Sequence, residues 1–293
     1  MRILAVVLSF VLMLGTLCID AQAGVFRDML GKKAEKTQDT NAKAMSNVAY
    51  GNSKKQTLDV YLPSAPKNAP IIIMVHGGAW SIGDKGSSKV VTNKVNRWVS
   101  KGAIFVSVNY RLLPEADPLK QAKDVASAIV YVQSHASEWG GDASKIVLMG
   151  HSAGAHLVSL VSADYTEYHG LKPWLGTVSL DSAAMDVVGI MSAKHYGFYD
   201  EAFGSDKAYW ESASPYYRLG SSSLPLLMVC STVRPDKPCK DAERLLQKAN
   251  GMSIKTQILA QPLKHGEINE QLGLDNDYTR KVEEFMRFLG IGL

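Results

Sequence analysis

Residues 145–163 read KIVLMGHSAGAHLVSLVSA, and the hydrophobic period of the chain changes within this stretch. Residues 146–150 carry no charge and predict a buried β-strand, whereas the apolar residues of 153–161 recur at helical spacing. The segment GHSAG, residues 150–154, lies at this strand-to-helix junction and matches the GxSxG pattern. Its glycines allow a sharp turn, so Ser152 is predicted to be an exposed nucleophile at a helix start. A glycine-rich turn that only reverses the chain is the alternative.

A serine hydroxyl is a weak nucleophile at neutral pH, so it needs a base that takes its proton and an acid that orients the base. His265 is the predicted base, because it lies next to a glycine in the loop after the last predicted strand. Asp236 is the favoured acid, because it lies between Ser152 and His265 in the chain and two cysteines bracket it. Asp181, at the end of an earlier predicted strand, is the alternative acid.

A second glycine motif follows the run IIIMV at residues 71–75, which is apolar on both faces and predicts a central strand. Residues 76–80 read HGGAW. Two glycines at the end of a buried strand let backbone amides point outward, as an oxyanion hole requires. The predicted oxyanion donors are the amides of Gly78, Ala79 and Ala153, and the predicted substrate-binding side chains are Trp80 and His151.

Strand and helix patterns alternate from residue 71 onward, which predicts parallel strands joined by right-handed crossovers. Residues 48–51 and 57–62 favour an antiparallel hairpin before them. The predicted fold class is therefore α/β, with a mostly parallel central sheet, helices on both faces and an N-terminal antiparallel hairpin. Residues 46–293 are predicted to be one domain. Residues 182–217 are aromatic-rich and irregular, which indicates a lid or pocket wall, or an excursion that packs its aromatics into the core.

With 293 residues and 46% hydrophobic content, the chain is long and apolar enough for one large α/β domain or two small ones. The 32 basic and 28 acidic residues are scattered, so nucleic acid is not an expected partner. No metal or cofactor is predicted. Residues 1–23 resemble a secretory signal, and their apolar run is shorter than the roughly 20 residues of a membrane span. We therefore expect a flexible lead-in over 24–45, no stable membrane anchor after cleavage, and a secreted or periplasmic protein.

Two cysteines remain after that cleavage, Cys230 and Cys239. An even number of cysteines in an oxidising compartment predicts a disulfide, and two unrelated buried thiols are the alternative. The bridge would close a short loop around Asp236 and restrict the movement of its carboxylate.

From about Tyr50 to the C-terminus the chain resembles the α/β-hydrolase superfamily. It is similar to the branch with hormone-sensitive-lipase-like carboxylesterases, feruloyl-esterase-like hydrolases and kynurenine formamidases. The motifs that carry the resemblance are LDVYLP (58–63), HGGAW (76–80), VNYRL (108–112) with Pro114, GHSAG (150–154) and His265-Gly266. The resemblance implies a serine hydrolase that cleaves small or aryl/short-chain carboxylic esters, with a small-molecule ester as partner. The alternatives are an arylformamidase or other amidase, and a hydrolase-shaped binding protein that has lost catalysis.

Overall fold

The computed structural model describes residues 43–293. The predicted signal peptide, residues 1–23, lies outside the described residues, as does most of the predicted lead-in, residues 24–42. The first strand begins at Lys43, three residues before the predicted start of the domain.

One sheet contains the eight strands of the described chain, in the spatial order β1-β2-β4-β3-β5-β6-β7-β8. The strands are β1 (Lys43–Ala49), β2 (Thr57–Leu62), β3 (Ala69–Val75), β4 (Ile104–Val108), β5 (Gly141–His151), β6 (Gly176–Leu180), β7 (Leu226–Ser231) and β8 (Thr256–Gln261). The β1–β2 and β2–β4 pairs are antiparallel, and all other pairs are parallel. The predicted mostly parallel sheet with an antiparallel N-terminal hairpin is confirmed.

Ten α-helices connect and cover these strands within residues 43–293. They are α1 (Ser88–Trp98), α2 (Pro118–His135), α3 (Ala153–Ala163), α4 (Val187–Met191), α5 (Gly197–Phe203), α6 (Lys207–Ser212), α7 (Pro215–Arg218), α8 (Pro238–Gly251), α9 (His265–Gln271) and α10 (Asp277–Phe288). Apolar residues of α2 and α3 pack in a core on one face of the sheet. Those of α1 and α10 pack in a second core on the other face.

Strand β3 shows why the central strands have no polar face. Ile71 and Ile73 belong to the core beneath α2 and α3, whereas Ile72 and Met74 belong to the core beneath α1 and α10. Successive side chains of a strand point to opposite faces, so a strand covered on both sides must be apolar throughout. Parallel pairing then brings the carboxyl ends of β3, β5, β6, β7 and β8 to one edge of the sheet.

The segment 182–217 forms four short helices, α4 to α7, rather than irregular chain. The aromatic rings of Tyr199 and Phe203 are buried in the core beside α3. The His156 ring nitrogen Nε2, from α3, lies 2.7 Å from the carbonyl oxygen of Ala213 in this segment. The Tyr209 hydroxyl also donates to Asp117 at 3.2 Å. The segment is therefore packed and hydrogen-bonded onto the body of the domain, with the rings of Tyr199 and Phe203 in the core.

Cys230, in β7, and Cys239, in the first turn of α8, are joined by a disulfide. The predicted pairing is confirmed. Across residues 43–293, the structure contains no helix with the length and apolar character needed to span a bilayer.

Candidate active site

Ser152 lies between β5 and α3, with φ +56° and ψ −119°. A non-glycine residue with this backbone is strained and has to be held by its surroundings. Glycines on both sides provide the space, since a Cβ on Gly150 would overlap the Gly154 carbonyl and one on Gly154 would overlap that of Val75. The glycines of the GxSxG motif are therefore required by backbone contact, and they hold Ser152 at the carboxyl edge of the sheet.

His265 is the first residue of α9, which follows β8. Its Nε2 lies 2.9 Å from the Ser152 hydroxyl oxygen, and its Nδ1 lies 2.7 Å from the Asp181 carboxylate oxygen Oδ2. A proton on Nδ1 satisfies the carboxylate and leaves Nε2 free to accept the hydroxyl proton. The structure thus brings together the predicted serine and histidine, 113 positions apart in the chain.

The prediction that the Asp236 carboxylate reaches His265 is corrected by the structure. Both oxygens of Asp236 pair with Arg234, Oδ1 with Nε at 2.9 Å and Oδ2 with Nη2. Asp181, the alternative acid, immediately follows β6 and is completely buried at its side chain. Because β6 pairs with β7, and β7 with β8, Asp181 approaches His265 from the neighbouring strand end.

Arg234 is a site residue that sequence reasoning missed. Its Nη1 donates to the Asp181 carboxylate oxygen Oδ2 at 2.9 Å and to the Asp181 carbonyl at 3.0 Å. Burial alone would raise the pKa of Asp181, but its hydrogen bond to His265 and the Arg234 charge lower that pKa to about 2. Burial alone would lower the pKa of Arg234, but the charges of Asp181 and Asp236 raise it well above its usual value. Asp181 is therefore a carboxylate at neutral pH.

The loop after β3 places three consecutive residues at positive φ: Gly78 at +130°, Ala79 at +47° and Trp80 at +59°. The Gly78 carbonyl accepts from the amides of Ser81 and Ile82, both at 3.0 Å, which fixes the orientation of the next peptide group. In the part of the chain that the structure describes, the amides of Gly78, Ala79 and Ala153 make no hydrogen bond. They form a set of free donors of the kind that stabilises an oxyanion.

Gly77 brings this loop against Ser152, because a Cβ built on Gly77 would lie 2.8 Å from the Cβ of Ser152. The Tyr110 hydroxyl donates to the His76 carbonyl at 3.0 Å, and the two rings stack with centroids 4.5 Å apart. Burial lowers the pKa of His76 to about 4, so this ring is neutral at physiological pH. The neutral, stacked rings of His76 and Tyr110 thus fix the start of the loop.

The two predicted substrate-binding rings are both held inside the protein. Trp80 is 3% exposed, and its indole N–H donates to His156 Nδ1 at 3.2 Å. His151 is 9% exposed, and its Nε2 lies 3.0 Å from the backbone carbonyl of His265. Burial, followed by the His265 charge, lowers the pKa of His151 well below its usual value. These contacts stabilise the packing around Trp80 and the position of His265. Because both rings are buried, the structure gives no support to their predicted contact with substrate.

Helix α9, which begins with His265, is tied to α1 by the Lys89–Glu270 ion pair at 2.7 Å and by two further polar side chains that sequence reasoning also missed. The Lys94 ammonium donates to the Asn269 carbonyl at 2.6 Å, and the Asn93 amide donates to the Glu270 carbonyl at 2.6 Å. Carbonyls in the last turn of a helix lack partners within the helix, so these donors satisfy groups that would otherwise be buried unpaired. The signal for Lys94 was a lone lysine among the apolar positions of α1.

Within residues 43–293, no group of three or more histidine, cysteine or acidic side chains is placed to hold a metal ion.

The sheet order and the serine, histidine and aspartate at its carboxyl edge define an α/β-hydrolase fold. More particularly, the chain belongs to the BD-FAE family, whose model matches residues 58–248, more than half of its length.

Curated relatives differ in how much of their length the chain covers. A probable isoprenylcysteine alpha-carbonyl methylesterase, ICMEL1 of Arabidopsis thaliana, is 35% identical over 116 residues, which is 39% of this chain and 23% of that protein. A kynurenine formamidase of Danio rerio is 35% identical over 150 residues, 50% of this chain and 48% of that protein. The chain thus spans less than half the length of these two. The kynurenine formamidase of Salmo salar is 29% identical over 245 residues, 81% of this chain and 79% of that protein.

Among solved structures, esterase B from Lactobacillus rhamnosis inhibited by a tributyrin phosphonate superposes with a TM-score of 0.70 at 21% identity. The match covers 95% of this chain and 94% of that one. At this identity the likeness supports the fold alone.

Proposed function

We propose that the protein is a serine hydrolase that cleaves carboxylic esters of small or aryl acyl groups through an acyl-enzyme intermediate. The observation that carries the proposal is the unbroken hydrogen-bonded series from Ser152 to His265 to Asp181, next to free backbone amides. A protein that had kept only the hydrolase shape for binding would have no need of a strained serine in register with a base.

In the proposed acylation, the Ser152 oxygen attacks the acyl carbon while His265 Nε2 takes the hydroxyl proton. Asp181 holds the imidazole by its Nδ1–H and stabilises the imidazolium that forms. The amides of Gly78, Ala79 and Ala153 stabilise the tetrahedral oxyanion, and each is worth on the order of a hundredfold in rate. His265 then passes its proton to the leaving alcohol.

In the proposed deacylation, a water takes the place of the alcohol. His265 Nε2 accepts a proton from the water, whose oxygen attacks the acyl carbon of the ester on Ser152. The second tetrahedral intermediate uses the same amides, and its collapse returns the proton to Ser152 and releases the acid. Every proton transfer runs through one nitrogen, His265 Nε2.

Hydrolysis of an aryl formamide is the second candidate. The Salmo salar relative named kynurenine formamidase matches over four fifths of this chain, which makes formamides the appropriate competing substrates. The same triad would attack the formyl carbon, and His265 would protonate a leaving amine instead of an alcohol.

A panel of p-nitrophenyl esters of increasing chain length, with methyl ferulate and an aryl formamide, tests the two candidates. We expect the highest kcat/KM on short or aryl esters and no turnover by Ser152→Ala. A higher kcat/KM on the formamide would favour the second candidate. Absence of turnover on every substrate, with the wild-type protein folded, would contradict both.

We also propose that the mature protein is secreted or periplasmic and is not anchored in a membrane. Support comes from the Cys230–Cys239 disulfide, because such bonds persist in oxidising compartments. N-terminal sequencing of protein from the culture medium or periplasm should begin at residue 24. An intact Met1 on the exported protein would contradict signal cleavage.

A further inference from the structure

We propose that Arg234 is a positioning residue of the triad, and that its ion pair with Asp236 sets the pH range over which His265 can act as a base. This proposal rests on the proposed function and adds a third charged group to the pair that serves the histidine.

The Arg234 guanidinium lies between two carboxylates and an imidazole. Nη1 is 2.9 Å from Asp181 Oδ2 and 3.0 Å from His265 Nδ1, whereas Nε and Nη2 pair with Asp236. In the tautomer that donates from His265 Nδ1 to Asp181, the approach of Nη1 to Nδ1 is an electrostatic contact and not a hydrogen bond. The Arg234 side chain is only 17% exposed, so solvent and salt screen this contact weakly.

These charges act on the imidazolium in opposite directions. Asp181 stabilises a protonated His265, whereas the Arg234 charge 3.0 Å from the ring destabilises it. Asp236 offsets part of the Arg234 charge from the far side. The acidic limit of activity therefore depends on both members of the Arg234–Asp236 pair.

Other titratable groups face this cluster from neighbouring elements. The His151 ring, at the end of β5, lies 4.6 Å from the His265 ring between centroids. The Lys94 charge on α1 lowers the pKa of His151, and the Asp181 charge helps to raise the pKa of Tyr278 on α10. Asp241 on α8 lies near Arg234 and Asp236, and burial raises its pKa to about 6. The buried Tyr199 on α5 also faces Arg234 and Asp236. Because the charges of Arg234 and Asp236 also act on the pKa of Asp241, the direct titration of His265 is measured beside the pH profile of activity.

The loop that carries Arg234 is fixed at both ends. Its base is closed by the Cys230–Cys239 disulfide, and the Ser231 amide donates to Asp181 Oδ1 at 2.7 Å. The Ser231 hydroxyl donates to the Leu263 carbonyl at 2.6 Å, two residues before His265. Arg234 is thus held against the acid by a loop that also contacts the chain leading to the base.

The test is the pH profile of kcat/KM on the best ester, measured for the variants Arg234→Gln, Asp236→Asn and the double variant. We expect Arg234→Gln to move the acidic limb to higher pH by about 0.5–1 unit, because the positive charge that disfavours the His265 imidazolium is then removed. Asp236→Asn should move the limb to lower pH, because the Arg234 charge is then uncompensated. The double variant should fall between them, and Arg234→Lys should return the limb toward wild type.

Arg280→Gln is the matched control, because Arg280 pairs with an exposed aspartate away from this cluster. It should leave the limb where it is. Thermal melts establish whether each variant is folded. If Arg234→Gln is not folded, the test rests on Asp236→Asn. The proposal would be overturned if the acidic limb moved in the same direction in both single variants, or if it moved in neither.

A second readout does not require turnover. The imidazole of His265 is titrated by NMR in histidine-labelled wild type and in the same variants, with the same opposite displacements expected. If the wild type hydrolyses no ester or formamide, the proposed function fails, and the NMR titration still decides the role of Arg234. Unchanged titration of His265 across the variants would overturn that role.

Discussion

Asp181 is oriented by its own backbone as well as by its partners. Its φ is +59°, its carbonyl accepts from Arg234, and its carboxylate oxygen Oδ1 accepts from the Ser231 amide at 2.7 Å. With both oxygens occupied and the side chain buried, the carboxylate has one orientation available. A single conformation of the acid fixes the tautomer of His265, which is what makes Ser152 reactive in the proposed mechanism.

Asp181→Asn should lower kcat by on the order of 10³–10⁴-fold, because an amide at this position favours the wrong tautomer of His265. KM should change little, since Asp181 is buried and does not face the substrate. Steady-state kinetics on the preferred ester measure both quantities. Asp236→Asn is the comparison and should retain kcat within about tenfold at neutral pH. Loss of activity in Asp236→Asn alone would restore Asp236 as the acid.

Sequence reasoning chose a serine and a histidine that the structure brings together, but it favoured an aspartate that does not contact His265, for a physical reason. Ser152 and His265 are marked by local glycine turns that a sequence displays directly. The acid is determined by which strand end faces His265, and two aspartates satisfied the chain order. In the structure, Arg234 pairs with both carboxylate oxygens of Asp236, so this carboxylate does not bind His265. A sequence gives no sign of such a pairing.

At the scale of elements, α9 is positioned by α1 through Lys94. The Lys94 side chain is buried and burial lowers the pKa of its ammonium to about 7, from an ordinary value near 10.5. The folded state therefore binds fewer protons than the unfolded state between about pH 7 and 10.5. Burial of the Lys94 ammonium therefore lowers the free energy of unfolding by its full amount below pH 7. This destabilisation decreases as the pH rises from about 7 to 10.5.

Lys94→Met should remove this pH dependence. The variant should gain stability relative to wild type as pH falls from about 10 to 7, by up to roughly 1 kcal/mol per pH unit, and no further below 7. Denaturant unfolding across this range measures the difference, and the lost bond to the Asn269 carbonyl adds a constant cost. Lys89→Met, on the same helix but 52% exposed at its side chain, is the control. A pH-independent difference for Lys94→Met would contradict the assignment.

The central strands were predictable because burial on both faces requires continuous apolar runs such as residues 71–75. The position of His265 was predicted as a loop, whereas it starts α9. The seven residues of α9 are held by partners on α1 and α10, including the Tyr278 hydroxyl, which donates to the Ile268 carbonyl at 3.0 Å. Those tertiary bonds are invisible in the local pattern.

At the scale of the whole molecule, one edge of the sheet gathers residues from five strand ends into the site. The segment 182–217 packs Tyr199 and Phe203 against Trp80 of the loop after β3, and the disulfide loop 230–239 brings Arg234 to Asp181. Agreement between strand pattern, turn glycines and chain order made the main fold predictable. The helices of the segment 182–217 have only four to seven residues each, too few to show a helical period in the sequence. The internal structure of this segment was therefore not predictable.

Replacing Cys230 and Cys239 together by alanine should lower the free energy of unfolding by about 2–3 kcal/mol, the loop-closure value for a short loop. It should also lower kcat, because the loop that presents Arg234 and Ser231 to Asp181 is no longer closed. Thermal or denaturant unfolding and steady-state kinetics measure the two effects. A double variant with full stability and full kcat would show that the bridge supports neither the fold nor the site.

The central claim is that Ser152 is a nucleophile activated by His265, and covalent labelling tests it most directly. Purified protein is treated with a fluorophosphonate, and the adduct is counted by intact mass and located by peptide mapping. We predict one adduct per chain, on Ser152, absent in Ser152→Ala and formed much more slowly in His265→Ala. No adduct on the folded wild-type protein, or an adduct on a different residue, would contradict the account.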